Sequence, residues 1–369
     1  MALELADIFR QYGPAYRQKY AERLLPSHRR AMHAIEQCRT PALGGQVFSC
    51  PQCHQTQYSY HSCRNRHCPK CQNDKAQEWL EEQQNFLLPV PYFMLTFTIP
   101  AALRPLARSH QTLVYDLLFR ASANATQYLA QDPRFVGGQL GLIGILHTWG
   151  RNLSYHPHIH YLVPAGGLSA DNRTLRSGSG QAWLPAHHHF LLPVKALSRI
   201  FRAKFLHALQ KSGLVNEIPA SVWKQEWVVH CKPVGNGRTA LKYLAPYVFR
   251  VAISNRRLVK LENNQVTFRY RSSNTGQTTF CTLSAEEFIH RFLQHVLPRG
   301  FVKIRYFGFF GSSQRLLLAA LRLLLETDSH PSLPDQLSPA LPKDTLLCPI
   351  CGKALLRLYT IPPTGRCPP

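Results

Sequence analysis

Hydrophobic and polar residues recur with two periodicities along the chain. One periodicity predicts α-helices and the other predicts β-strands. In the first 37 residues Ile8, Tyr12, Tyr16, Tyr20 and Leu24 recur at helical spacing, which predicts an amphipathic helical segment. Aromatic and β-branched residues in alternation predict strands elsewhere. Together these patterns predict helices over 74–86, 101–131, 194–212 and 284–296, and strands over 92–99, 138–149, 223–233, 265–283 and 301–310.

The charge balance indicates a polyanionic partner. The 369 residues include 43 Lys and Arg against 20 Asp and Glu, a formal net charge of +23. Each phosphate that a basic side chain neutralises releases a counterion and adds affinity, so this excess favours nucleic acid as the partner. The length suffices for two or three compact units, each with its own core.

The uncharged stretch 86–103 has 18 residues, the lower limit for a membrane-spanning helix. Pro89, Pro91 and Pro100 interrupt it, and its centre is aromatic and β-branched, as in a buried strand. The N-terminus shows no pattern of a secretory signal. We therefore expect a cytoplasmic protein without a membrane partner, whose 11 cysteines are thiols or metal ligands.

Two Cys-x-x-Cys pairs separated by 14 residues predict a tetrahedral zinc site of four thiolates. Its ligands are Cys50, Cys53, Cys68 and Cys71. Four thiolates fill the coordination sphere, so the zinc is expected to be structural. Four further residues either complete a second site or pack nearby: Cys38, Cys63, His61 and His67.

Basic residues surround these cysteines. A basic loop that zinc holds in place is a candidate DNA-binding segment. The residues are Arg64, Arg66 and Lys70.

Near the other end of the chain Cys348 and Cys351 form one more Cys-x-x-Cys pair, followed only by Cys367. The sequence supplies no fourth ligand there, so this cluster is partial.

The stretch "SYHPHIHYLVPAGG" at 154–167 predicts a strand with one face of histidines. Side chains alternate along a strand, so His156, His158 and His160 share a face opposite Ile159, Tyr161 and Val163. Neutral imidazoles bind divalent metals well, so three histidines on one face predict ligands for a divalent metal. The turn 150–152 predicts a hairpin that brings His147 from the preceding strand towards the same site, which leaves one of the ligands open.

Tyr243 and Tyr247 are four residues apart, which places both phenols on one face of a predicted helix. Basic residues flank them: Lys242, Arg250, Arg256 and Arg257. Spacing alone equally fits two packing aromatics, and Pro246 predicts a kink or a first helical turn.

These motifs carry a family resemblance that covers roughly residues 31–310. "HPHIHYLVPAGG" resembles the His-hydrophobic-His motif of HUH endonucleases, and "YLAPYVFRVAISN" resembles the two-tyrosine signature of bacterial rolling-circle insertion-sequence transposases. "ALGGQVFSCPQCHQTQYSYHSCRNRHCPKCQ" is similar to the zinc-binding domain that precedes that nuclease, and "FLQHVLPRGFVKIRYFG" to a stretch downstream of the tyrosines.

The resemblance implies an α+β fold, with helices packed on an HUH-type antiparallel sheet and a small helical and zinc-knuckle domain before it. The expected domains are 1–85, helical and zinc-binding; 86–327, the nuclease; and 328–369, a Pro-rich tail with the partial cysteine cluster. The histidine strand is expected at the centre of the sheet.

The implied activity is nicking and rejoining of single-stranded DNA at element ends and target. The resemblance implies that His158 and His160, with either His147 or His156 as the third ligand, hold Mg²⁺ or Mn²⁺, which would polarise the phosphate. Tyr243 or Tyr247 would form a 5′-phosphotyrosine link. Bases would stack on aromatics such as Trp149, Tyr155 or Phe249. A bacterial, nucleoid-associated location and oligomerisation are compatible with this activity.

Three other interpretations remain. A zinc-finger protein without catalysis explains the knuckles and the charge, but not the histidines and tyrosines. A transposase with three carboxylates and two metals needs acidic residues that do not cluster in this sequence. An HUH relaxase or replication initiator would share the chemistry and differ in its DNA.

Overall fold

The fold is described from a computed structural model of the chain. The structure describes residues 3–71, 79–81, 83, 86–169, 182–187, 189–237, 239, 241, 248, 252–272, 275–327 and 346–364. Contacts divide the chain into two compact units. The terminal unit comprises Met1–Asp74, Ile253–Val296 and Pro331–Pro369, and the central unit comprises Lys75–Ala252 and Leu297–His330.

The elements are numbered in chain order. The α-helices are α1 (Leu5–Lys19), α2 (Pro26–Gln37), α3 (Arg104–Ser109), α4 (Gln111–Ala130), α5 (Val194–Gln210), α6 (Ser221–Lys224), α7 (Ala285–Leu293) and α8 (Arg315–Thr327). The strands are β1 (Gly45–Ser49), β2 (Thr56–Tyr60), β3 (Pro91–Thr98), β4 (Gly138–Gln139), β5 (Leu142–Trp149), β6 (Tyr155–Pro164), β7 (Gly166–Ser169), β8 (Trp183–Pro185), β9 (Val229–Asn236), β10 (Leu258–Glu262), β11 (Gln265–Arg271), β12 (Thr278–Ser284), β13 (Ile304–Phe307) and β14 (Leu356–Ile361).

A five-stranded antiparallel sheet organises the central unit. Its strand order is β13-β5-β6-β3-β9, so the histidine strand β6 is central, as predicted, and β3 lies beside it. β5 and β6 form the predicted hairpin, in which His147 lies opposite His158. The α+β class and the antiparallel sheet are thereby confirmed.

One face of this sheet is covered by α4 and α5. Ile159, Tyr161 and Val163 of β6 are fully buried there, in a cluster that also contains Phe201 of α5. Burial of such apolar area is the main stabilising term of the fold, at about 25 cal/mol per Å². Gly144 of β5 allows the close packing, because a Cβ at this position would lie 2.5 Å from the ring of Tyr161.

The opposite face carries the histidines at one end and a second apolar cluster at the other. Leu162 of β6, Ile143 and Ile145 of β5 and Met94 of β3 contribute to this cluster. Residues of α8 cover part of it, since Leu321 is fully buried in the same cluster. Because side chains alternate, one strand supplies both an apolar core and a polar site.

The terminal unit combines segments that are far apart in sequence. β14, β1 and β2 form one antiparallel sheet, and β10, β11 and β12 form another. The helix α7 that follows β12 packs on α1, where the rings of Phe9 and Phe292 meet edge to face at 5.4 Å. Lys19 of α1 also pairs with Glu286 of α7 at 2.8 Å.

This division differs from the predicted boundaries at 85 and 327, because residues 253–296 belong to the terminal unit. The predicted helical segment 1–37 is two helices, α1 and α2, and the helix predicted at 101–131 is broken at His110. The strand predicted at 223–233 begins only at Val229, after the short helix α6. The segment that contains the first two Cys-x-x-Cys pairs also contains β1 and β2, which the sequence patterns did not predict.

None of the helices that the structure describes is long and apolar enough to cross a membrane.

Phe97→Ala tests the packing of the central unit. Phe97 is fully buried and meets Tyr161 at 5.8 Å and Phe201 at 5.1 Å, so truncation should lower the free energy of unfolding by about 3–5 kcal/mol. Tryptophan fluorescence during urea unfolding measures this, because all five tryptophans belong to the central unit. The control Leu316→Ala removes a side chain that is 90% exposed and should change stability by less than about 0.5 kcal/mol. Equal losses in the two variants would contradict the packing described.

Candidate functional site

Three histidines converge on the face of the sheet opposite α4 and α5. His147 comes from β5, and His158 and His160 come from β6. Their ring nitrogens can supply ligand atoms that all lie within 4.8 Å of one another. The ring centroids are 4.7 Å apart for His147 and His160 and 4.8 Å for His158 and His160. We call these three residues the histidine cluster.

Hydrogen bonds orient two of these rings. Nδ1 of His158 donates to the backbone oxygen of His156 at 2.7 Å, which leaves the lone pair of the ring on Nε2. Nδ1 of His160 lies 2.9 Å from Oγ1 of Thr96, the residue opposite it on β3. Such contacts commonly fix the orientation of metal-ligating histidines.

Burial keeps these rings uncharged. Burial, together with the nearby His160, lowers the pKa of His158 to about 3. Burial and the charge of Lys232 lower the pKa of His160 to about 4. Both rings are therefore neutral at pH 7, the state in which an imidazole binds a metal.

His156 lies on the same face of β6 as His158 and His160, but its ring makes a different contact. Its Nδ1 lies 2.9 Å from a terminal nitrogen of Arg104, and it is not among the residues that converge. Burial and the charge of Arg104 lower the pKa of His156. Of the two predicted third ligands, the structure brings His147 to His158 and His160, and it places His156 against Arg104.

Further residues lie beside the histidine cluster. The indole of Trp149 stacks on His147 with centroids 5.0 Å apart, and Nζ of Lys303 lies 5.0 Å from the indole centroid. The same Nζ donates to the backbone oxygen of Val248 at 3.0 Å. Neither Thr96 nor Lys303 was predicted from the sequence as part of this site. Thr96 could have been found as a polar residue in an apolar strand, whereas no local signal marks Lys303.

The predicted nucleophiles Tyr243 and Tyr247 lie outside the described residues, as do Lys242, Phe249 and Arg250. Two residues of the same segment, Leu241 and Val248, are described. Both are buried in the apolar cluster on the histidine face.

Tyr155, a predicted platform for bases, belongs to the core instead. It lies on the face of β6 opposite the histidines, and its hydroxyl is 2.6 Å from that of Tyr115. Alternation along β6 explains the correction, because an odd-numbered residue points away from the even-numbered histidines.

The predicted cysteines fall into two clusters instead of one. The first cysteine cluster contains Cys38, Cys63, Cys68 and Cys71, and the second contains Cys50, Cys53, Cys348 and Cys351. The predicted grouping of Cys50 and Cys53 with Cys68 and Cys71 is therefore wrong. Strand β1 explains the separation, because its five residues extend about 16 Å between the segment after Cys38 and the pair Cys50 and Cys53.

The first cysteine cluster is suited to a structural zinc ion. Sγ of Cys71 lies 3.5 Å from Sγ of Cys38 and 3.5 Å from that of Cys63. Four thiolates at about 2.3 Å from zinc form a closed tetrahedron.

The predicted DNA-binding residues that the structure describes differ in their surroundings. Arg64, Arg66 and Arg256 are exposed. Lys70 pairs with Glu4 at 2.6 Å, and Arg257 donates to the backbone oxygen of Arg269 at 2.9 Å.

The ligand atoms of each cluster determine which metal ions it can bind. Imidazoles suit divalent transition metals, and thiolates suit zinc. None of the three ligand groups found in the described part of the chain contains a carboxylate. The histidine cluster, with basic and aromatic neighbours, can therefore hold a divalent cation beside a phosphate.

Comparisons with known proteins find similarity to transposases along most of the chain. The family described as "Transposase zinc-binding domain", of the IS91 type, matches residues 8–99, and the family described as "Putative transposase" matches residues 141–316. The chain is 44% identical over 332 residues to "Putative transposase y4qJ" of Sinorhizobium fredii, covering 85% of this chain and 81% of that protein. It is 30% identical over 324 residues to "Transposase for insertion sequence element IS801" of Pseudomonas savastanoi pv. phaseolicola, covering 81% and 78%. No solved structure matches the chain at a significant level.

His147→Ala tests the histidine cluster, with His156→Ala as its matched control. Loss of the His147 ring should weaken Mn²⁺ binding at least about tenfold, because even residues that only orient ligands contribute that much. His156→Ala should change the affinity less than about threefold, since its ring contacts Arg104. Calorimetric titration with Mn²⁺ of protein that holds zinc only in its cysteine clusters measures both affinities. Equal weakening in the two variants would contradict the assignment.

Proposed function

The chain belongs to the transposases with an IS91-type zinc-binding domain, and from this membership we propose that it cuts and rejoins single-stranded DNA through a 5′-phosphotyrosine link. The nuclease would be of the HUH type, with the histidine cluster as its metal site. Transposition of an insertion sequence by a rolling-circle-like route would follow from this chemistry.

The observation that carries the proposal is the convergence of His147, His158 and His160. Two paired strands hold the rings, Thr96 and the backbone of His156 orient His158 and His160, and burial lowers the pKa of these two rings so that they are neutral at pH 7. His147 is buried and the other two are half-buried, and three imidazoles with ligand atoms within 4.8 Å of one another favour a role in ligand binding over one in packing. A divalent cation there would polarise the scissile phosphate and offset the charge that develops on its oxygens.

Tyr243 and Tyr247 are the proposed nucleophiles. The phenolic oxygen of one of them attacks phosphorus, the bond from phosphorus to the 3′ oxygen breaks, and a phosphotyrosine forms on the 5′ side. The phenol loses its proton, and the departing 3′ oxygen gains one. A later attack by a 3′-hydroxyl reverses these changes and rejoins the strand without an external energy source. Two tyrosines allow a second cleavage before the first link is resolved.

The contacts of Val248 support this assignment. Its backbone oxygen accepts from Lys303, whose Nζ lies over the indole of Trp149, and that indole stacks on His147. The described residue next to Tyr247 in sequence is thus linked to the histidine cluster through two side chains.

Basic and aromatic side chains are proposed to bind the DNA. Trp149 is partly exposed beside the histidine cluster and can stack on a base, a contact of about 1–3 kcal/mol. Lys232 and Lys303 carry positive charge to the same face. In the terminal unit the exposed Arg64, Arg66 and Arg256 are proposed to contact phosphates.

Formation of a covalent protein–DNA adduct tests the proposal. Protein with Mn²⁺ and labelled single strands that tile the DNA flanking its gene should yield an adduct that survives denaturing electrophoresis. Tyr243→Phe/Tyr247→Phe should reduce the adduct at least about a hundredfold, because phenylalanine has no oxygen to attack phosphorus. His158→Ala should abolish cleavage while DNA binding is largely kept.

Tyr128→Phe is the matched control, because Tyr128 is 61% exposed in the same unit and should leave the adduct unchanged. An adduct that persists in the double Phe variant would reject the nucleophile assignment. DNA binding with no strand cleavage under any of these conditions would favour a zinc-dependent DNA-binding protein without catalysis.

A further inference from the structure

The second cysteine cluster joins residues from opposite ends of the sequence. Cys50 and Cys53 follow β1, whereas Cys348 and Cys351 precede β14. The zinc-binding family match ends at residue 99 and the other match at residue 316, so Cys348 and Cys351 lie outside both. Residues about 300 positions apart thus form one group of four sulfurs.

The distances between the sulfurs fit a tetrahedral site. Sγ of Cys50 lies 3.3 Å from that of Cys351, Cys53 lies 3.5 Å from Cys348, and Cys53 lies 3.8 Å from Cys351. Four sulfurs at about 2.3 Å from a zinc ion are about 3.8 Å apart. A disulfide requires about 2.05 Å, and all four cysteines are free thiols.

The two halves of this cluster are built alike. In each, the N–H of the first cysteine donates to the carbonyl five residues later, at 3.0 Å for Cys50 and Gln55 and 2.7 Å for Cys348 and Lys353. The residue after the second cysteine donates to the carbonyl of the first at 2.9 Å in both halves. That residue has positive φ in each, 56° at His54 and 71° at Gly352.

Backbone N–H groups also point at the sulfurs. Those of Cys53 and Gln52 donate to Sγ of Cys50, and those of Cys351 and Ile350 donate to Sγ of Cys348. Such N–H groups stabilise a thiolate, the form in which cysteine binds a metal. Two loops that share this arrangement and face each other are suited to one ion.

The sheet of the terminal unit positions these loops. β1 lies between β2 and β14, and Ser49 pairs with Leu356, next to the second cysteine cluster. Phe48 and Leu355 pack with Cys50 and Cys348 in a small buried cluster. With so few apolar side chains, the hydrophobic effect alone stabilises this part of the unit weakly.

We propose that Cys50, Cys53, Cys348 and Cys351 bind a second structural zinc ion, which ties the C-terminal strand β14 to the N-terminal zinc-binding domain. The protein then holds two zinc ions per chain, one in each cysteine cluster. The N-terminal domain is incomplete without residues 346–364. This site is independent of the tyrosine chemistry proposed above, and its presence or absence does not alter that proposal.

The test measures the zinc content of the unaltered 369-residue protein and the protection of its cysteines from alkylation. Mass spectrometry of the native protein should show two zinc ions per chain. Limited alkylation should leave Cys50, Cys53, Cys348 and Cys351 unmodified until a chelator is added, after which all four react. Cys281, which lies outside both clusters, should react at the same rate with and without chelator. Rapid alkylation of Cys348 and Cys351 while Cys50 and Cys53 stay protected would overturn the proposal, as would a disulfide between the two halves.

A double variant supplies a second measurement. Cys348→Ser/Cys351→Ser should reduce the zinc content from two ions to one, and Cys281→Ser should retain both. Two ions in the double variant would contradict the proposal. If the double variant unfolds and loses both zinc ions, the alkylation pattern of the unaltered protein decides whether the second zinc site exists.

Discussion

The antiparallel pairing of β5 with β6 is the constraint on which the rest of the central unit depends. Alternation along β6 places Ile159 and Tyr161 in the core and His158 and His160 on the opposite face. The register then sets His147 opposite His158, so three rings meet without any contribution from a loop. A shift of one residue would turn the histidines into the core, and the packing of α4 and α5 makes such a shift costly. The same contacts that stabilise the sheet therefore build the site.

The part of the terminal unit around β1, β2 and β14 follows another principle, because these strands are short and few apolar side chains pack beside the second cysteine cluster. Two groups of four cysteines compensate, one formed within residues 38–71 and one shared with the C-terminal strand. This organisation explains why the zinc-binding region cannot be understood from its own stretch of sequence. It also separates structural metal chemistry, which uses thiolates, from the imidazole site of the central unit.

Alternation and turn residues are local signals, and they predicted the strands at 92–99 and 138–149 and the hairpin. The antiparallel sheet and the central position of the histidine strand were implied by the family resemblance, because no local pattern shows which strands are neighbours. It did not predict β14, whose partner β1 lies about 300 residues away and leaves no local pattern. The grouping of the cysteines failed for a related reason, since spacing within a loop does not reveal that β1 separates Cys50 from Cys68. Likewise His147 and His156 were equivalent by sequence, and only the contact of His156 with Arg104 distinguishes them. The placement of Tyr243 and Tyr247 stays a prediction.

The central claim is that a phenol of the tyrosine pair and the histidine cluster act on the same phosphate. The most direct measurement is the ¹⁹F resonance of 3-fluorotyrosine incorporated at position 247, and in a second sample at position 243, during titration with Mn²⁺. Paramagnetic broadening reports proximity to the bound ion. At least one of the two resonances should broaden as Mn²⁺ is added, and it should stay sharp when His158 and His160 are replaced by alanine. Sharp resonances at both positions with the histidine cluster saturated would contradict it.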